Sequence, residues 1–160
     1  MTRRVFFSFH FEHDAWRAGI VRNSRITKEI AGFTDAANWE KIASRGDDAI
    51  KRWIKDQLDG TSVTVVLIGA ETSTRNYVKY ELEQSWKKDN GILGIYIHKL
   101  KNQYGNTDTQ GKNHFGSIFT SYTDDKKYFF QRFPTYYWLK DDGYNNIDSW
   151  IEAAAKRAGK

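Results

Sequence analysis

The chain reads as a doubly wound α/β domain built on a parallel sheet, and two patterns in the sequence predict it. First, Val5–Phe9, Val63–Ile68 and Ile92–Ile97 are short runs, mostly β-branched or aromatic, and apolar at successive positions. Strands covered by helices on both sides of a parallel sheet have that composition. Second, apolar residues recur at helical spacing between and after these runs. Strands that alternate with helices imply βαβ crossovers.

Taken in order, the first strand, Val5–Phe9, leads into a helix through Trp16 and Ile20. The segment Ala31–Asp35 supplies the next strand by topology, although it is short and only moderately apolar. Ile50, Trp53, Ile54 and Leu58 mark a helix, and the strand Val63–Ile68 then ends at Gly69. Val78, Leu82 and Trp86 mark another helix, followed by the strand Ile92–Ile97. From His98 to Thr135 the chain turns polar, with strong turn signals in Tyr104–Asp108 and Gln110–Asn113. A connection of that length is usually a functional loop, a family insertion or a partly disordered segment. Tyr136–Leu139 reads as the last strand. After a break at Asp142-Gly143, Ile147, Trp150, Ile151 and Ala154 predict the last helix.

A single domain, 1–160, is expected, because 160 residues can bury one substantial core. Apolar residues at 39% and aromatics at 16% exclude a disordered chain. Cysteine is absent, which excludes disulfides, zinc–cysteine sites and a thiol nucleophile and fits a reducing cytoplasm. The first apolar run is broken by His10, Glu12, His13 and Asp14, too early for a signal peptide, and no run reaches membrane length. A soluble protein without a membrane partner is expected. The net charge of +5 would suit a nucleic acid, but Lys and Arg are dispersed among 20 acidic residues. A solvated basic surface is the better reading, and no nucleic-acid partner is expected.

The chain carries no glycine-rich dinucleotide loop, no P-loop and no nucleophile elbow. His10, Glu12, His13 and Asp14 are close enough to suggest a metal, yet exposed loop residues at a strand end explain them better, and no metal is expected. Position is more informative, because open α/β sheets bind ligands beyond the carboxyl ends of their strands. Ser8, Phe9 and His10 lie at the end of the first strand, and Asp35 follows the presumed second. Thr72, Ser73 and Thr74 follow Gly69, and the next helix sets Tyr77 and Glu81 on one face, beside the stripe of Val78, Leu82 and Trp86. A carboxylate there could hold ribose hydroxyls and stabilise the positive charge that develops as an N-glycosidic bond breaks. Spacing alone favours a plainer role for Glu81, a helix former paired in solvent with Lys79, Lys87 or Lys88.

Arg4–His10 resembles the opening strand of TIR-like domains, and Phe33–Glu40 is similar to the segment after their second strand. Thr64–Gly69 followed by Thr72–Leu82 resembles their third strand and its helix, which in TIR enzymes carries a Ser, an aromatic and the catalytic Glu. The likeness extends to Gly91–His98 and Trp138–Tyr144, so it covers most of the chain, and it is strongest to the TIR-like subunits of Thoeris anti-phage systems. The resemblance implies a flavodoxin-like fold and an enzyme that uses NAD as substrate, with no prosthetic group. It implies cleavage of the nicotinamide–ribose bond and a signalling nucleotide, commonly a cyclic ADP-ribose isomer, that activates a separate effector after infection. It leaves room for a phage-derived activator, without which the enzyme is silent, and for a homo-oligomer. Carried onto this chain, it makes Glu81 catalytic, with Ser8, Phe9 and His10 bordering the pocket and Asp35, Trp39, Ser73 and Tyr77 near it. Two alternatives stay open: an interaction module of the same fold, and a basic nucleic-acid-binding regulator.

Overall fold

The computed structural model describes residues 3–24, 41–111 and 133–160. Among them the strands are β1 (Val5–Ser8), β2 (Val63–Ile68), β3 (Gly91–Tyr96) and β4 (Thr135–Tyr137). The helices are α1 (Phe11–Arg22), α2 (Asp47–Leu58), α3 (Asn76–Lys87) and α4 (Gly143–Arg157), with a 3₁₀ turn at Thr72–Thr74. The four strands form one sheet in the order β1-β2-β3-β4, every pair parallel. Val63 registers with Val5 on one side and Gly91 on the other.

Alternation along each strand decides which helices cover which face. Val5, Phe7, Val63, Val65, Leu67, Leu93 and Ile95 pack with Ala18 and Val21 of α1 and Ile147, Trp150 and Ile151 of α4. The opposite parity serves the other face. Phe6 meets Ile50, Ile54 and Leu58 of α2, while Val66, Ile68 and Ile92 meet Val78 and Leu82 of α3. Every residue of β2 and β3 is buried, which is why those strands read as continuous apolar runs. At Gly91 an added Cβ would collide with the Ala154 carbonyl, so the missing side chain lets α4 lie directly on β3.

The predicted parallel α/β architecture is the observed one, with differences at the element edges. β3 begins at Gly91 and ends at Tyr96, and β4 occupies Thr135–Tyr137 rather than 136–139. Trp138 turns into the core and Leu139 is exposed, because the chain bends there toward α4. The first helix forms, but Trp16 and Ile20 lie on its outer side at 56% and 37% exposure. Its buried face is Asp14, Arg17, Ala18 and Val21, a stripe half polar and therefore invisible to an apolar periodicity. The expected strand at Ala31–Asp35 lies outside the described residues. Of the expected polar insertion, residues 98–111 and 133–135 are described; the first stretch contains turns but no helix or strand, and Thr135 opens β4. No helix among the described residues is long and apolar enough to cross a membrane.

Candidate active site

The site is built around the seating of α3 on the sheet. Val78, Glu81, Leu82 and Ser85 form the buried stripe of this helix, at the spacing that puts residues on one face. Its rotation is fixed by hydrogen bonds as well as by packing. Asn90 Nδ2 donates to Thr64 Oγ1 at 3.3 Å, the Thr64 and Ser85 hydroxyls meet at 2.7 Å, and Ser85 Oγ donates to the Glu81 carbonyl at 2.7 Å. These bonds allow one consistent run of donors: Asn90 to Thr64, Thr64 to Ser85, Ser85 to the helix backbone. One turn before Ser85, Glu81 therefore faces the end of β1, where its carboxyl meets Ser8.

Glu81 sits inside the apolar stripe rather than beside it. It is only 8% exposed, and none of Lys79, Lys87 and Lys88 contributes to its ionisation, so the solvent-paired role open to it in sequence does not describe it. Burial pushes its carboxyl up to about 8, against a smaller opposing pull from Ser8. In the free site the carboxyl is thus largely protonated at neutral pH. Ser8 itself is fully buried on the same strand face as Phe6. Its hydroxyl lies against the carboxyl and favours the charged form, though the contact falls short of full hydrogen-bond geometry and leaves Ser8 Oγ without a partner.

A cleft of about 300 Å³ opens above this carboxyl at the carboxyl end of β1. Phe9, His10 and Glu12 line it from one side, and Arg75, Tyr77 and Glu81 from the other. Phe9 and Phe11 set their rings 5.8 Å apart. Tyr77 brings its ring, because its hydroxyl is engaged in donating to Asp47 Oδ1 at 2.9 Å. His10 caps α1, its carbonyl accepting the Asp14 N–H at 2.8 Å, while its ring stacks on His13 at 5.8 Å. Burial holds the His10 imidazole below its ordinary value, and the nearby Arg75 guanidinium adds to that.

Of the residues singled out in sequence, Phe9, His10, Tyr77 and Glu81 come together on this cleft, with Ser8 behind Glu81. Ser73 stands on the 3₁₀ turn and does not line the cleft. Asp35 and Trp39 lie outside the described residues. Arg75 escaped the sequence reading, although a cation directly before the first residue of a helix was a usable signal. The open N–H groups of a first turn and a guanidinium together attract an anion.

A second polar cluster borders the site on the other side of His13. His13, Asp14 and Asp108 place one ligand-type atom each within 4.8 Å of one another, the pattern of a metal site. The buried Arg17 guanidinium already fills that role. Its Nη1 lies 2.8 Å from Asp108 and 3.4 Å from Asp14, and it donates to the carbonyls of Leu100 at 2.7 Å and Asn106 at 2.9 Å. His13 Nε2 meets the same Asp108 oxygen at 2.8 Å. Burial pushes the Asp14 carboxyl up to about 6, and a Cβ at Gly69 would collide with it, so this carboxyl is wedged beneath the end of β2. The cluster reads as a clamp that ties residues 98–111 to α1.

Residues 6–102, from β1 through β3 and including Glu81, match the family model described as "Thoeris protein ThsB, TIR-like domain". A protein of Bacillus cereus (strain MSX-D12), named "Putative cyclic ADP-D-ribose synthase ThsB1", is similar at 35% identity over 94% of this chain and 100% of its own length.

Proposed function

We propose that this chain, which belongs to the Thoeris ThsB family of TIR-like proteins, cleaves the nicotinamide–ribose bond of NAD and closes the remaining ADP-ribose into a cyclic signalling nucleotide. The observation that carries the reading is the buried Glu81 carboxyl opening on a cleft at the carboxyl end of β1. A module that made only protein contacts would gain nothing from it, because an acid held up at about 8 by burial weakens the fold at neutral pH.

The chemistry follows from that carboxyl. NAD brings a pyridinium cation, and a positive charge beside a buried acid favours its ionised form. Substrate binding thus draws the proton off Glu81 and creates the carboxylate where it is needed. As the glycosidic bond breaks, the bonding pair leaves with the ring nitrogen and nicotinamide departs neutral, without needing an acid. The positive charge moves onto the ribose, where a preorganised carboxylate in a low-dielectric cleft stabilises it. Phe9 and Tyr77 offer ring surface to the nicotinamide or ribose, and Arg75 at the head of α3 suits the diphosphate. Exclusion of water by these rings would favour closure of the ring over hydrolysis.

The nucleotide reaches a separate effector and so takes part in anti-phage defence, with the enzyme released from a silent state by a phage-derived activator. Mass spectrometry of nucleotides formed from NAD, with and without lysate of phage-infected cells, tests this. Nicotinamide and a cyclic ADP-ribose isomer are expected with the lysate, and their absence in both arms overturns the reading.

A further inference from the structure

The cleft holds a titratable side chain that bond cleavage does not require. His10 is 8% exposed, and its Nδ1 is buried with no hydrogen-bond partner. A histidine buried for packing ordinarily has its ring nitrogens paired. His13, three residues further on, is exposed and has its Nε2 paired with Asp108 at 2.8 Å. His10 lines the same cleft as Glu81, and with Nδ1 enclosed it is Nε2 that is left to take a proton from a bound ribose.

Ring closure needs a group of this kind. Nicotinamide leaves without taking a proton, but the hydroxyl that attacks the anomeric carbon must lose one. Glu81 is needed as a carboxylate until the new bond has formed, so a separate acceptor lets the attacking hydroxyl lose its proton while that charge is still in place. We infer that His10 is the general base of ring closure, a role that rests on the NAD-cleaving reading given above. As a hydroxyl oxygen of the same ADP-ribose forms its bond to the anomeric carbon, its proton passes to the His10 imidazole and then to solvent. NAD⁺ becomes cyclic ADP-ribose, nicotinamide and one H⁺, with no change of oxidation state. Burial, then Arg75 and His13, hold the imidazole below its ordinary value against Glu71 and Glu12, which favours the neutral form that can accept a proton.

Base exchange separates this step from bond cleavage. A pyridine such as 3-acetylpyridine attacks the same carbon through a nitrogen lone pair and has no proton to lose, so it needs no base. The full chain is incubated with NAD, 3-acetylpyridine and lysate of phage-infected cells, and both products are counted by mass spectrometry. His10→Gln is expected to lower the ratio of cyclic product to exchanged dinucleotide about a hundredfold, the scale of one general base. His10→Asn, a shorter amide equally unable to take a proton, should lower it similarly, and circular dichroism checks that each variant is folded. An unchanged ratio in a folded variant overturns the inference, as does an equal loss of both products, which would make His10 a binding residue. Wild-type protein that forms neither product overturns the NAD-cleaving reading and this inference with it. Exchange in the wild type reports bond cleavage alone, so the two failures are distinguishable.

Discussion

The hydroxyls of Thr64 and Ser85 lie 2.7 Å apart in the buried layer between β2 and α3, one helical turn from Glu81. That contact orients the helix that carries the proposed catalytic carboxyl, and it links stability to activity. Ser85→Ala leaves the Thr64 hydroxyl without its acceptor in a dry interface, where an unpaired polar group costs about 1–3 kcal/mol. Urea unfolding should show a loss of that size, together with reduced product formation as α3 loosens. Unchanged stability would mean that apolar packing alone seats the helix.

The Glu81 carboxyl should make the fold weaker as pH rises. Its folded-state value of about 8 lies above the ordinary 4.5, so the folded state holds more protons across that window. Stability from this group is fully present at low pH, falls from about pH 4.5 upward, and levels off above about 8. Glu81→Gln removes the penalty and should be more stable than the wild type in mildly alkaline buffer, by an amount on the order of a few kcal/mol. Denaturant titrations across pH check this, and a variant less stable than wild type at high pH would contradict it.

The same group sets a pH–rate profile. Only the carboxylate stabilises the ribosyl cation, so kcat/KM, which reports the free enzyme, should climb through neutrality and flatten near pH 8. Glu81→Gln should have lost the climb along with the activity. A wild-type profile flat from mildly acidic to mildly alkaline pH would show that Glu81 is already ionised in the free site.

Arg17 should matter for stability well beyond an ordinary helix residue. At 1% exposure it faces Asp14 and Asp108 and holds the carbonyls of Leu100 and Asn106. Arg17→Met leaves the Asp14 carboxylate buried beside an apolar chain, a loss of roughly 3–5 kcal/mol by analogy with other broken buried pairs. Thermal unfolding measures it, and a loss within the range of surface substitutions would show that residues 98–111 are held by other contacts.

The contrast between Glu81 and Arg17 shows what the sequence could and could not reveal. Val63–Ile68 was legible to the residue, because a strand buried on both faces leaves an uninterrupted apolar run. α1 was legible as a helix but not in its facing, since its inner stripe includes Asp14 and Arg17, whose burial depends on partners about ninety residues away in sequence. Tyr77 and Glu81 could be placed on one helix face by counting, whereas the depth of Glu81 in that face depends on the Thr64–Ser85 bond, a tertiary contact without local signature. Arg75 was readable in principle from its place before Asn76, but only the folded cleft gives it a neighbour in His10.

The most direct test of the central claim compares Glu81→Gln and Glu83→Gln with wild type, counting nicotinamide and cyclic ADP-ribose formed from NAD in the presence of infected-cell lysate. Gln keeps the size of the side chain and removes its charge. Glu83 shares the helix but is only half-buried and does not line the cleft of Glu81, so it controls for general effects on α3. Loss of about two orders of magnitude, about 2.7 kcal/mol, is expected for Glu81→Gln, with Glu83→Gln close to wild type. Wild-type yields from Glu81→Gln, or an equal loss from Glu83→Gln, would contradict the assignment of Glu81 as the group that stabilises the ribosyl cation.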